Sequence, residues 1–254
     1  MKISIITPTF NSEDTISKNI KSVISQEYED WEQIIIDNIS TDNTLSIVKK
    51  IDNEKIKIFS QKDNGIFDAI NKGISLSSGE IISILHSDDY FYSIDTLNHV
   101  IKEFSKEDIN IIYGDIIYTK KNNTESLLRY WKSNKFIEGN FYKGWSPPHP
   151  GFFVKKKIHE KFGNYSVDLG NSSDFELMFR LLEKNKVQSR YINKILVGMR
   201  YGGVSNKSYI NILKQNLQII KILGIKKNYI KILRLIFYKI FNRIIQFLSK
   251  PKKK

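Results

Sequence analysis

The chain has 254 residues, 40 Lys and Arg, 27 Asp and Glu, and no cysteine. That length buries a full core in one large α/β domain or two small ones, and the missing cysteines exclude a disulfide framework, thiolate metal sites and thiol catalysis. At 41% hydrophobic and 26% charged, the composition is that of a globular chain. No charged segment leads into a short apolar stretch near residue 1, so no signal peptide is expected. No run of 18 apolar residues free of charge predicts a spanning helix.

The net charge of +13 is unevenly placed. Residues 1–183 hold 22 basic and 27 acidic residues, a balance of −5, whereas residues 184–254 hold 18 basic residues and no acids. A mildly acidic body with a cationic tail points to contact between the tail and an anionic surface, either lipid or nucleic acid.

In chain order, Lys2–Thr7 is a β-branched run ended by Pro8 and predicts a buried strand. Asn11 and Ser12 are caps for a helix from Glu13 to Gln26, with Ile16, Ile20, Val23 and Ile24 on one face. Glu32–Asp37 predicts a second buried strand. Ser40 or Thr41 caps a short helix carrying Leu45 and Val48, and Lys55–Phe59 predicts a third strand. Ile66–Ser75 reads as a helix, Glu80–Leu85 as a fourth strand, Ser93–Phe104 as a helix and Asn110–Tyr113 as a fifth strand. This alternation implies an α/β fold, a mostly parallel sheet with helices on both faces.

Ligands of such sheets sit at the carboxyl ends of the strands. Here those ends read Thr7-Pro8-Thr9-Phe10-Asn11, Asp37-Asn38-Ile39-Ser40-Thr41-Asp42 and His86-Ser87-Asp88-Asp89. Paired carboxylates such as Asp88 and Asp89 repel unless a cation or proton lies between them. Hard oxygen ligands at an open site suit Mg²⁺ or Mn²⁺, completed by substrate phosphates and water. The alternative is a helix cap before Ile94–Phe104. Asp37 can accept from a ribose hydroxyl or a base N–H, or serve as a turn residue. The dinucleotide G-x-G-x-x-G, the P-loop and the G-x-S-x-G elbow are all absent. No glycine-rich loop follows the first strand, which argues against a sugar nucleotidyltransferase.

The runs ISIITPTFN (Ile3–Asn11), IDNISTDNT (Ile36–Thr44), DNGIFDAINKG (Asp63–Gly73), SGE (Ser78–Glu80) and LHSDDYF (Leu85–Phe91) resemble the family 2 inverting glycosyltransferases. The likeness continues in HPGFFV (His149–Val154), FGNY (Phe162–Tyr165), SDFELMFRLL (Ser173–Leu182) and GGVS (Gly202–Ser205), so it spans residues 1–205. The resemblance implies a GT-A fold, a nucleotide-diphosphate sugar donor, with a UDP-sugar expected, and a divalent cation, Mn²⁺ or Mg²⁺. It divides the body into a nucleotide-sugar-binding half, residues 1–115, and an acceptor half, residues 116–205, before a helical tail, residues 206–254.

Carried over by position, the resemblance implies that Thr7, Pro8, Thr9 and Asn11 line the nucleotide pocket and that Asp37 holds the base or ribose. Asp63, Gly65, Asn71 and Lys72 would flank the nucleotide and sugar. Asp88 and Asp89 would stand for the DxD-type metal site, Asp88 also touching the donor. His149 would touch diphosphate, metal or acceptor, and Asp174 would be the catalytic base. Asp174 can instead be a first-turn carboxylate of the helix Asp174–Leu182, and His149 a loop histidine packed on Trp145 or Phe152. Trp131, Trp145 and Tyr142 are either sugar-stacking aromatics or loop packing. Arg200 with Gly202–Ser205 forms either a loop over the donor phosphates or a plain turn. Two departures stand out: His86 occupies the first acidic position of DxD, and the second strand ends in Asp-Asn-Ile-Ser without the family's glycines.

In the tail, Lys231–Lys250 places Lys231, Arg234, Lys239, Asn242, Arg243, Gln246 and Lys250 on one helix face. Leu233, Ile236, Phe237, Ile240, Phe241, Ile244, Phe247 and Leu248 fall on the other. That is the pattern of a helix lying in a membrane interface, with the closing lysines drawn to anionic lipid. The alternative is packing on the body or on a second copy, with the basic side in water.

Together these features predict an inverting, metal-dependent glycosyltransferase acting on a cell-surface or lipid-linked glycan. Residues 226–254 would hold it at the inner face of the cell membrane from the cytoplasm, and a homodimer is compatible. The competing readings are a catalytically silent sugar-nucleotide-binding module and a basic nucleic-acid-binding protein. The second accounts for the charge but not for the acidic strand ends, so nucleic acid is not the expected partner.

Overall fold

The hydrophobic runs of the first half become strands buried on both faces. In the computed structural model, which describes residues 1–106, 108–121, 123–202 and 209–251, β1 (Ile3–Thr9) and β2 (Trp31–Asp37) are buried along their whole length, as in a sheet covered by helices on both sides. β3 (Ile56–Ser60) and β4 (Ile81–Ile84) complete a parallel group in the order β3-β2-β1-β4. The connecting helices are α1 (Ile16–Ile24), α2 (Thr44–Lys49) and α3 (Ile66–Leu76). Each turns its apolar stripe to the sheet: Ile16, Ile20 and Val23 of α1 and Ile70 and Ile74 of α3 are buried.

Beyond β4 the sheet becomes mixed. After β5 (Tyr90–Phe91) and α4 (Thr96–Phe104) come β6 (Ile111–Lys120), β7 (Asn123–Trp131) and β8 (Phe152–Lys155), and later β9 (Ser189–Arg200). β8 runs antiparallel between β4 and β6; β9 is parallel to β6, while β5 is antiparallel to β9 and β7 to β6. The fifth strand read from the sequence therefore continues past Tyr113. Its first residues, Ile111–Tyr113, pair with β8, and from Ile116 onward it pairs with β7 instead. Gly114 sits at that exchange because a Cβ there would lie 2.6 Å from the Leu196 side chain. The second half packs its own core, with Tyr113, Phe141, Phe152 and Phe179 at its centre. α5 (Lys156–Phe162), α6 (Ser173–Met178), α7 (Tyr209–Ile222) and α8 (Tyr229–Leu248) flank it.

Two helices differ from the sequence pattern. α1 starts at Ile16 rather than Glu13, because Asn11 adopts a left-handed φ of 46° and turns its side chain to the Thr41 N–H. α6 widens into a π-helical stretch, Phe179–Lys184. There Arg180 is gripped by Glu176 and donates to the carbonyls of Phe162, Gly163 and Asn164, tying α6 to the end of α5.

One buried carboxylate ties β2 to its surroundings. Glu32 is 1% exposed and accepts from the Ser4 hydroxyl, the Ser78 N–H and hydroxyl, and the Lys57 ammonium. Burial works to raise its pKa, but Lys57, Ser78 and Ser4 outweigh burial and bring it down to about 2. A folded pKa below the ordinary glutamate value of 4.5 stabilises the fold above that pH, and the contribution is lost as pH falls toward about 2. We expect Glu32→Gln to destabilise the fold by about 1–3 kcal/mol at neutral pH. The difference from the parent should shrink in melts between pH 4 and pH 2; a pH-independent difference would contradict this.

Candidate active site

The carboxyl ends of β2, β1 and β4 lie side by side, and polar side chains lace them together. The Asp37 carboxylate, fully buried, accepts from the Ser40 N–H at 3.0 Å, the Ser40 hydroxyl, and the Ser60 hydroxyl at 2.7 Å. The Ser40 hydroxyl in turn accepts from the Asn11 N–H at 2.9 Å. Ile39 is forced into the left-handed region, φ 53°. A β-branched residue is strained there and glycine would not be, which is the physical content of the non-glycine sequence at this strand end. Asp63 accepts from the Gly65 N–H at 2.8 Å, and Gly65 opens α3 with φ 117°. Thr7, Pro8 and Thr9 are buried within β1. Asn71 clamps the Tyr165 backbone through both amide atoms, and Lys72 pairs with Asp68 at 3.1 Å. Neither Asn71 nor Lys72 reaches the cavity described next.

Asp88, His149 and Asp174 do converge, on one cavity of about 300 Å³. His149 comes from the turn before β8 and Asp174 from the first turn of α6. His149 Nδ1 lies 3.1 Å from Asp174 Oδ2, and its Nε2 lies 3.3 Å from His86 Nε2. Facing a carboxylate, Nδ1 carries the proton, which leaves the Nε2 lone pair directed at His86. Burial brings the His149 imidazole down to about 4, and burial followed by the proximity of His149 does the same for His86, so both are neutral at pH 7. Burial lifts the Asp174 carboxyl to about 6, against a hydrogen bond from the Phe175 N–H. Asp174 is thus mostly ionised at neutral pH, yet basic enough to take a proton.

Asp89 lies beneath this floor. It is 1% exposed, neither of its carboxylate oxygens has a hydrogen-bond partner, and burial and then Asp88 push its pKa well above the carboxylate range. An orphaned buried carboxylate next to one that lines the cavity fits a divalent cation at this turn. No group of three His, Cys, Asp or Glu side chains suited to a metal forms among the described residues. An ion at this turn would have few protein ligands and would take the remainder from substrate oxygens.

The far wall of the cavity comes from the tail, which the sequence reading had kept apart from the chemistry. Leu235, Lys239, Asn242, Arg243 and Gln246 of α8 line it, with Arg129 and Trp131 of β7. The helix lies close because Gly144, φ 69°, leaves room: a Cβ there would sit 2.6 Å from the Lys239 side chain. The expectation that a packed tail leaves its basic side in water is corrected in part: Lys239, Asn242 and Gln246 are half-buried against the cavity, whereas Lys231, Arg234, Arg243 and Lys250 stay exposed. Phe237, Ile240, Phe241 and Leu248 are 63%, 57%, 49% and 77% exposed. The i, i+4 pairs Lys239/Arg243 and Asn242/Gln246 carried the signal, but a helical wheel does not say which face meets the protein.

Other residues singled out from the sequence divide cleanly. Trp145 packs on Tyr113, Phe136 and Phe141, and Tyr142 on Phe179, so both are core. Trp131 lines the cavity. Arg200 is 8% exposed, with Nε and Nη1 buried and unpartnered. Residues 203–205 of the GGVS motif and residues 252–254 of the lysine end lie outside the described residues.

Comparison with known proteins fits this geometry. The profile of glycosyl transferase family 2 matches residues 4–162. The Escherichia coli enzyme UDP-Glc:alpha-D-GlcNAc-diphosphoundecaprenol beta-1,3-glucosyltransferase WfgD is 34% identical over 188 residues, 74% of this chain and 72% of the relative. A PGL/p-HBAD biosynthesis glycosyltransferase of Mycobacterium bovis is 27% identical over 208 residues, 80% of this chain and 78% of the relative. Among solved structures, S. aureus TarS 1–349 in complex with UDP-GlcNAc superposes with a TM-score of 0.65 at 15% identity, covering 94% of this chain and 79% of that one. The mannosyltransferase PcManGT from Pyrobaculum calidifontis, in complex with GDP-Man and Mn²⁺, gives 0.64 at 16% identity, covering 95% and 69%. At such identities these two share the fold alone. The chain belongs to glycosyl transferase family 2, has the GT-A fold, and is a glycosyltransferase.

The Asp174 geometry makes a pH prediction. A base with a pKa of about 6 is active above that pH, so kcat/KM should rise through about pH 6 and then level off. Asp174→Asn should lower kcat by about 10²–10⁴-fold and remove that limb while leaving nucleotide affinity intact. A parallel loss of nucleotide binding would make Asp174 part of the donor pocket instead.

Proposed function

We propose that the protein transfers one sugar, with inversion and with a divalent cation, from a nucleotide-diphosphate sugar to a hydroxyl of a lipid-linked or cell-surface glycan. The observation that carries this reading is the meeting of Asp88, His149 and Asp174 in one cavity at the carboxyl edge of the sheet. The donor lies along the β1–β2 edge, a UDP-sugar being the expected form. Asn11, Asp63 and Gly65 form its rim, with Thr7, Pro8, Thr9 and Asp37 shaping the strand ends and Asn71 and Lys72 supporting α3 behind them. Asp88, with Asp89 behind it and His149 Nε2 nearby, would hold Mn²⁺ or Mg²⁺, which when bound offsets the charge growing on the leaving diphosphate.

The side chains do the rest. Asp174 Oδ accepts the acceptor hydroxyl's proton as that oxygen attacks the anomeric carbon, and His149 Nδ1–H holds the carboxylate in place. A single displacement on the face opposite the leaving group inverts the anomeric centre. Release of nucleotide from a panel of sugar nucleotides in Mn²⁺ tests the reading directly. Turnover with one donor is expected, to fall at least about 10²-fold in Asp88→Ala or in excess chelator. Undiminished turnover in either would remove the metal from the account. Binding of a sugar nucleotide without turnover on any hydroxyl acceptor would make the protein a silent binding module.

The outward apolar face of α8 supports a peripheral seat on a membrane, on the cytoplasmic side in this reading. No helix among the described residues is long and apolar enough to cross a membrane. The relative WfgD, by its name, acts on a diphosphoundecaprenol-linked sugar, and a lipid-linked acceptor for this chain would place the cavity at the bilayer surface. Deleting residues 226–254 would strip the cavity wall, so the clean test is Phe237→Ser with Phe241→Ser, two outward rings that stack on each other, Phe237 also meeting Tyr238, with no other ring contact among the described residues. Burial of a Phe side chain is worth about 1.5–3 kcal/mol, so affinity for phosphatidylglycerol vesicles should fall at least about tenfold, with donor hydrolysis unchanged. Failure of the parent protein to bind such vesicles at low salt would contradict the membrane seat; a concentration-dependent dimer would then assign the face to a second copy.

A further inference from the structure

Three cations stand on the cavity wall opposite the strand ends: Arg129 of β7 and Lys239 and Arg243 of α8. None of them makes an ion pair among the described residues, which elsewhere hold ten pairs of Lys, Arg or the N-terminus with a carboxylate. They are nevertheless held in place. Arg129 Nε donates to Gln246 Oε1 at 2.7 Å, and its guanidinium lies over the rings of Tyr118 and Trp131 at 4.5 and 5.3 Å. Lys239 Nζ donates to Asn216 Oδ1 at 2.6 Å. Asp174 acts on Lys239 from within the cavity, but no carboxylate lies within ion-pair distance of Arg129, Lys239 or Arg243 among the described residues, so like charges crowd this wall and an anion joining them relieves that repulsion. Burial, and then the proximity of Arg243, lower the Lys239 ammonium to about 8, and the same two causes lower Arg129.

In the reading above the donor's diphosphate lies at Asp88, and Arg200, whose charge acts on Asp89 and Lys18, stands near that end of the cavity. The wall of Arg129, Lys239 and Arg243 is thus left for a second anion. The same helix that supplies two of these cations presents its opposite, apolar face outward, so an anion that arrives here on a lipid would meet both faces of α8 at once. Resting on the glycosyl-transfer reading above, we propose that Arg129, Lys239 and Arg243 bind the phosphate or diphosphate that joins the acceptor sugar to its lipid. Arg129 offers the planar fork that matches phosphate oxygens, and Lys239 and Arg243 add charge one helical turn apart. The contact sets acceptor class, because a neutral glycoside leaves the three cations unpaired.

Binding to the full-length protein, followed by Trp131 fluorescence or calorimetry, tests this with four probes: dodecyl diphosphate, inorganic pyrophosphate, dodecyl maltoside and UDP. Dodecyl diphosphate should bind at least about tenfold more tightly than dodecyl maltoside, with an affinity that falls as salt rises. Lys239→Gln with Arg243→Gln should weaken dodecyl diphosphate at least about tenfold and UDP less than about twofold. The charge-preserving pair Lys239→Arg with Arg243→Lys should restore binding, and it decides the matter if the glutamine pair does not fold. Equal weakening of UDP would assign the wall to the donor and overturn the proposal, as would binding indifferent to charge or lost in the charge-preserving pair. Pyrophosphate bound as tightly as dodecyl diphosphate would overturn the lipid-linked part. Absence of UDP binding to the parent protein would instead sink the donor reading, whatever the alkyl diphosphate does.

Discussion

The arrangement of the site rests on one buried amide. Asn19 of α1 is 1% exposed and donates to the carbonyls of His86 and Asp89 at 2.8 and 3.0 Å, so it holds both ends of the acidic turn from below. Its own oxygen accepts from Gln33 of β2, which also donates to Thr7 of β1. A single polar chain thus joins α1, β2, β1 and the turn after β4 inside an otherwise apolar layer. Each buried carbonyl left without its donor costs about 1–3 kcal/mol, which is large against the marginal stability of a domain. The position of Asp88 at the cavity mouth is therefore set by core packing, not by the turn alone.

The second constraint is desolvation. The sheet, α6 and α8 enclose His86, His149 and Asp174 in part, with 27% and 22% of the His149 and Asp174 side chains still exposed. Removing water keeps the imidazoles neutral and raises the Asp174 carboxyl into the range where a base works near neutral pH. The same enclosure places positive charge across from the carboxylates, so the cavity is polarised from one wall to the other. Helix α8 is consequently part of the cavity wall.

Much of this was legible in the chain itself. Strand ends carrying Asp37 and Asp88-Asp89 pointed to one edge of a sheet, because period and punctuation determine which ends of the strands face the same way, whereas only the family resemblance brought Asp174 to it. Other features were hidden for physical reasons. Asn19 sits at a core position of α1 and carries no motif. The pairing of His86 with His149 joins residues 63 apart through the antiparallel insertion of β8 between β4 and β6. The orientation of α8 depends on Gly144, in a loop whose left-handed backbone no periodicity reveals. The hydrophobic pattern of α8 gave two faces, and only packing turned Lys239, Asn242 and Gln246 of the polar one to the cavity.

The central claim is that the base and the leaving group act on opposite faces of the sugar in a single step. Its most direct test is the anomeric configuration of the first product, read by proton NMR early in turnover of an α-linked sugar nucleotide. The account predicts a β-linked product from the outset. An α-linked product would require two displacements or front-face attack, and would contradict the role assigned to Asp174.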